Sequence, residues 1–225
     1  MKNLPEGLEA AYFDVDGTLS KSNIVNPLLY IKKMVMSRSG YMIWRAVLPF
    51  RFLYWTVLDK ISRKRSTAAI YNQYKGISVE KMKLLIPDCY HQQYQKKLFT
   101  KAIEVVRSLQ EKGIPIVLVS GSLDLFLNPL AKEFGAELLC SSLEVKNGMY
   151  TGKVKGPVVS GIQKAVMIDT HASKNKINLE KSISFGDSAD DLPMLRSVRY
   201  AVAINPDRIL TLAAEKNQWN IEKWF

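Results

Sequence analysis

Asp14 and Asp16 stand two residues apart, directly after the apolar run 10–13 and directly before Gly17 and Thr18. On an extended segment, alternate carboxylates can converge on a hard cation, which takes oxygen ligands. The same residue types after a strand also make an ordinary turn, so the pair alone leaves both readings open. Two further polar clusters follow apolar runs in the same way. Ser120, Gly121 and Ser122 come after 114–119, and Gly186-Asp187-Ser188-Ala189-Asp190-Asp191 comes after 182–185.

For the three clusters to meet, their apolar runs must be parallel strands whose carboxyl ends share one edge, where open α/β sheets bind ligands. The intervening sequence fits that demand. A first strand is expected over 8–14. Residues 100–112 put Ile103, Val106 and Leu109 on one helical face and stop at Gly113. The unbroken apolar run 114–119 then suits a strand covered on both faces. A helix over 123–134, a strand over 136–140 and a hairpin over 143–154 around Asn147-Gly148 follow. A helix over 158–171, strands over 182–185 and 200–204 and a closing helix over 206–216 complete the order. Strands alternating with helices predict an α/β fold, a Rossmann-like parallel sheet flanked by helices with right-handed crossovers.

Residues 21–100 break this rhythm. They show no strand alternation and four helical patterns: one starting near Pro27, then 41–60, 62–75 and 78–97, the last capped by Ser78. The expected organisation is a core of residues 1–20 and 101–225 with an inserted helical cap, 21–100. The formal net charge of +11 lies in that insert, which holds 15 Lys and Arg against 3 Asp and Glu, while the other 145 residues hold 17 against 18. So localised an excess implies a job for the insert itself. Cys89 and Cys140 are too few and too far apart for a disulfide framework or a zinc site. No apolar signal region opens the sequence, and the expected setting is the reducing cytoplasm, with peripheral contact to a membrane.

The motifs Asp14-Val15-Asp16-Gly17-Thr18, Val119-Ser120-Gly121, Lys164 and 186–191, in that order, resemble the haloacid dehalogenase superfamily, and within it the phosphoserine-phosphatase-like subfamily with a helical cap. The resemblance covers the whole expected core. It implies a magnesium-dependent phosphomonoester hydrolase in which Asp14 attacks phosphorus and Asp16 serves as proton donor and then base. Mg2+ would bind the Asp14 carboxylate, the Asp16 carbonyl and Asp187. Thr18, Ser120 and the Gly121 amide would hold phosphate oxygens, and Lys164 would pair with phosphate and keep Asp14 ionised. Lys164 competes with Lys153, Lys155, Lys174 and Lys176; its place near a helix start and its 23-residue separation from Asp187 favour it. Asp191 would orient Lys164 or a metal-bound water. Asp190 stands where phosphoserine phosphatases usually have asparagine, which leaves its role open.

The insert bears on substrate. Phosphoserine phosphatases usually carry a glutamate soon after the first motif; here that place is Ser20-Lys21-Ser22-Asn23. No clear match to their arginine-bearing cap motif is visible either. Instead, residues 41–55 are rich in aromatics and aliphatics, interrupted by Arg45, Pro49 and Arg51 and followed by Lys60, Arg63, Lys64 and Arg65. Charge and proline make this a poor transmembrane helix. Residues 41–65 suit an anionic membrane surface, or Trp44, Phe52 and Trp55 form the core of the cap itself. The leading expectation is a lipid or amphiphilic phosphate monoester, in line with phosphatidylglycerophosphate phosphatases of the same cap class. The alternatives are a small soluble phosphate such as phosphoserine and, more remotely, a non-catalytic nucleic-acid-binding module. No nucleic-acid motif accompanies the charge, so no nucleic-acid partner is expected.

Overall fold

The computed structural model describes residues 4–225. After β1 (Ala10–Phe13) come five helices, α1 (Val25–Val35), α2 (Arg38–Ala46), α3 (Leu48–Ile61), α4 (Arg63–Tyr71) and α5 (Val79–Gln93), then α6 (Thr100–Glu111) and β2 (Ile116–Leu123). The chain continues through α7 (Asp124–Glu133), β3 (Glu137–Ser141), a hairpin of β4 (Leu143–Lys146) and β5 (Met149–Val154), and α8 (Ile162–Asn175). It closes with β6 (Ser182–Gly186), α9 (Leu192–Arg196), β7 (Tyr200–Ile204), α10 (Arg208–Asn217) and β8 (Asn220–Glu222).

The main sheet has the order β3-β2-β1-β6-β7-β8, and neighbouring strands pair parallel. β1 lies between β2 and β6, with Ala11 opposite both Ile116 and Ile183. Side chains alternate across the sheet. Ala11 and Phe13 enter a core shared with α6, α7 and the helices before α6, whereas Ala10 and Tyr12 enter a second core with α8, α9 and α10. Phe13 stacks on Phe185 at 4.2 Å between ring centroids. Tyr12 meets His171 through a 3.1 Å hydrogen bond. Burial on both faces accounts for the unbroken apolar runs, and parallel pairing brings the carboxyl ends of β1, β2 and β6 to one edge.

The expected elements are present with three differences. β2 runs on to Leu123, so Ser120–Ser122 lie within the strand, where the register with β3 shifts between Ser120 and Leu123. The single helix expected over 41–60 is two, α2 and α3, meeting at Val47. Pro49 has no N–H for a continuous ladder and sits instead in the first turn of α3. α9 and β8 were unexpected, being only five and three residues long.

The hairpin, expected as a flap, is docked on the inserted helices. Gly76 N donates to Tyr150 O, Tyr150 N to Ile77 O and Val79 N to Gly148 O, each at 2.9 Å. The aromatic segment divides its side chains. Trp44 and Trp55 are buried as the core reading expected, but Phe52 is not: it is exposed along with Met42, Ile43, Phe50, Leu53, Tyr54, Val57 and Ile61. Among the described residues, no helix is long and apolar enough to cross a membrane.

Candidate active site

The polar strand ends meet in a cavity of about 250 Å3 lined by Asp14, Asp16, Gly17, Ser120, Gly121, Lys164, Asp187 and Asp190 from the sheet side, and by Ser22, Asn23, Ile24, Arg63 and Thr67 from the inserted segment. Asp14 follows β1, and its N–H is tied to Phe185 O of β6 at 2.9 Å. Its carboxylate Oδ1 accepts from Lys164 Nζ at 2.7 Å, whereas Oδ2 is buried without a partner. Lys164 comes from the first turn of α8 and reaches Asp191 Oδ1 at 2.6 Å as well. Asp191 Oδ2 in turn accepts from Asp187 N at 3.0 Å and Ser188 N at 3.1 Å. The lysine is thus held between two buried anions. These charges raise its pKa against the desolvation that opposes them, and it stays protonated.

Two glycines make this crowding sterically feasible. Gly17 has φ +92°, and a Cβ there would fall 2.2 Å from Asp187 Oδ2. At Gly186 a Cβ would fall 2.6 Å from that of Asp191. Burial is the main reason that Asp14 is pushed up to about 7 and Asp187 to about 9, reinforced for each by neighbouring carboxylates and opposed by Lys164. Burial also raises Asp16, against the hydroxyl of Ser122, which donates to its Oδ2. Such concentrated negative charge with unpartnered buried oxygens, Asp14 Oδ2 and Asp16 Oδ1, fits a hard cation. Carboxylate oxygens of Asp14, Asp187 and Asp191 lie within 4.8 Å of one another. Asp191 already accepts from the lysine and from the 187–188 backbone, so the carboxylates with oxygens left for a cation are those of Asp14 and Asp187. The Asp16 carboxylate, turned to Ser122, is placed for a different task.

Of the residues expected at the site, Asp14, Asp16, Ser120, Gly121, Lys164, Asp187 and Asp190 line one cavity. Asp191 lies behind them as a support. Thr18 is fully buried with an unpartnered hydroxyl and does not line the cavity. Sequence reading missed Arg63, Tyr71 and Tyr94 and gave Ser122 no role beyond its polar cluster. Arg63 was grouped with the membrane-facing cations. The side chain of Ser62, accepting from Arg65 N at 3.4 Å, starts α4 so that Arg63 reaches the cavity mouth. Tyr71 donates to Gly121 O at 2.5 Å and Tyr94 to Ser122 Oγ at 3.2 Å, so the insert grips the end of β2 that faces Asp16. An exposed Ser-Arg helix start was the available signal for Arg63; the tyrosines looked like ordinary core.

The family of haloacid dehalogenase-like hydrolases matches residues 11–196, and the chain belongs to it. It is an enzyme of that hydrolase class, and phosphatases are among its relatives. It is 33% identical over 120 residues to a phosphoserine phosphatase of Archaeoglobus fulgidus, an alignment covering 53% of this chain and 35% of that one, so it spans about a third of that relative's length. A probable phosphatase of Mycobacterium tuberculosis is 28% identical over 224 residues, covering 96% of this chain and 76% of its own. The fold is shared with a substrate-bound phosphoserine phosphatase structure at a TM-score of 0.70 and 22% identity, covering 98% and 95% of the two chains.

Proposed function

We propose that the chain hydrolyses phosphate monoesters through a phosphorylated Asp14, with residues 21–100 acting as a cap over the 1–20 and 101–225 core. The observation that carries this reading is the Asp14 carboxylate, one oxygen fixed by Lys164 and the other buried, unpartnered and on the cavity wall. Asp14 attacks phosphorus, the ester P–O bond breaks, and Asp16 gives its proton to the departing alkoxide. Asp16 then takes a proton from water as that water attacks phosphorus. The bond to Asp14 breaks and inorganic phosphate leaves. Lys164, Arg63, Ser120 and the Gly121 amide offset charge on the phosphoryl oxygens. Asp14, Asp187 and the Asp16 carbonyl would hold Mg2+, whose chemistry is to neutralise charge at the phosphoryl group.

The favoured substrate is a lipid or amphiphilic phosphate monoester, taken at the surface of an anionic membrane in the cytoplasm. The support is the outward apolar face of α2 and α3, with Phe50, Leu53 and Ile43 each more than 60% exposed beside Arg45, Lys60, Lys64 and Arg65. Each basic residue near such a surface contributes about 1 kcal/mol. A small soluble ester such as phosphoserine is the second reading, supported by the names of several relatives and by Arg63 at the mouth. Against it, the inserted segment contributes no acid to the cavity lining that would match an ammonium. Phosphate release from lysophosphatidate in vesicles, set against release from phosphoserine, distinguishes the two. Asp14→Asn is expected to abolish both, and full turnover by that variant would refute the covalent route. Sedimentation with anionic but not zwitterionic vesicles tests the membrane contact.

A further inference from the structure

We infer that an apolar groove beside the catalytic cavity receives the hydrocarbon chain of the substrate. The inference rests on reading the cavity as the phosphate site. The groove, of about 220 Å3, is walled by Ile24, Val25, Phe52, Trp55 and Ile70. It adjoins the cavity, since Asn23, Ile24 and Arg63 line both.

Its polar lining is already engaged. Asn23 Oδ1 accepts from Val25 N and Asn26 N at 3.0 and 3.1 Å. Thr56 Oγ1 donates to Phe52 O at 2.8 Å, and Ser66 Oγ donates to Trp55 O at 3.0 Å. Asp59 is paired with Arg63 at 3.0 Å. With those groups satisfied internally, the groove offers a ligand apolar contact and little hydrogen bonding. A hydrocarbon matches that surface, whereas a hydrated head group would forfeit water contacts there.

The occupant is therefore a single aliphatic chain esterified to the phosphate held in the cavity. Arg63 stands at the junction, where the charged head ends and the chain begins. Phe52, 44% exposed, lines the groove from α3.

Linear alkyl phosphates from ethyl to dodecyl, kept below their micelle concentrations and assayed by phosphate release, test this. The expected result is a kcat/KM that rises about three- to fourfold per added methylene, then levels off once the groove is filled. In Thr56→Trp, which fills the groove from an exposed position, and in Phe52→Ala, the dodecyl-to-ethyl ratio should collapse. A flat chain-length profile with measurable turnover would overturn the groove assignment while leaving the phosphatase reading intact. So would a steep profile untouched by either variant. No turnover of any ester, ethyl phosphate included, would instead sink the phosphatase reading on which the groove depends.

Discussion

The Lys164 ammonium lies 2.7 Å from Asp14 Oδ1, and neither side chain is more than 5% exposed. Asp191, fully buried, closes the same cation from the other side at 2.6 Å. Removing the cation leaves two carboxylates facing each other away from water. Breaking a buried pair in this way costs about 3–5 kcal/mol. Lys164→Met, similar in volume, should therefore lower the urea midpoint markedly. Its kcat/KM should fall about 10²- to 10³-fold, the scale for losing a charge-stabilising donor. Lys164→Arg should rescue little activity, because a planar guanidinium cannot replace the compact ammonium between two acids.

Asp187 carries a pH prediction for the protein stripped of divalent cations. Burial and the carboxylates of Asp14 and Asp191 raise it from the ordinary value of 3.8 to about 9. The folded state therefore keeps a proton that the unfolded state releases. The contribution to stability is full below about pH 4 and is lost as pH rises through 9. In EDTA, Tm should fall between pH 5 and pH 9, and Asp187→Asn should flatten that fall. Added Mg2+ should raise Tm more at pH 8 than at pH 5, because a cation replaces the proton that would otherwise hold the acids together. A Tm in EDTA that climbs over this range would contradict the assignment.

The core and the acids at its strand ends were legible because their signals are local. An apolar run followed by Asp14-Val15-Asp16-Gly17 states both the strand and the acids it delivers, and Tyr200–Ile204 coincides with the expected last strand. What was not legible depends on long-range packing. Nothing near Arg63 in sequence says that α4 turns toward Asp14. Nothing near Tyr150 says that its backbone pairs with residues 76 and 77. The aromatic run 41–55 was ambiguous for a further reason: α2 and α3 bury their tryptophans and expose most of their other large apolar side chains, so the run is core at some positions and surface at others.

Ser122 donates to Asp16 and accepts from Tyr94. The chain of hydroxyls holds Asp16 Oδ2 and leaves Oδ1 without a partner. A hydrogen bond to a charged group contributes about 1.5–3 kcal/mol, so Ser122→Ala should reduce kcat about 10- to 100-fold with KM little changed. Tyr94→Phe removes only the outer member and should cost less. A Ser122→Ala variant with normal kcat would show that Asp16 needs no orienting donor.

Gly152 decides how firmly the hairpin holds the insert. Its φ of +79° is one that other residues rarely adopt, and an added Cβ would come within 3.0 Å of the Asn72 backbone and 2.9 Å of its Oδ1. Gly152→Ala therefore meets two penalties, unfavourable backbone and contact with main chain that cannot swing aside. Together they should cost about 1–3 kcal/mol. The loss should be local in its consequences, because three backbone hydrogen bonds join residues 76–79 to 148–150. Proteolysis should attack 72–79 faster in the variant than in the parent, while Gly148→Ala, where a Cβ meets nothing within 4 Å, bears the backbone penalty alone. If the two variants prove equally protected, the contact with Asn72 contributes nothing to holding the insert against the sheet.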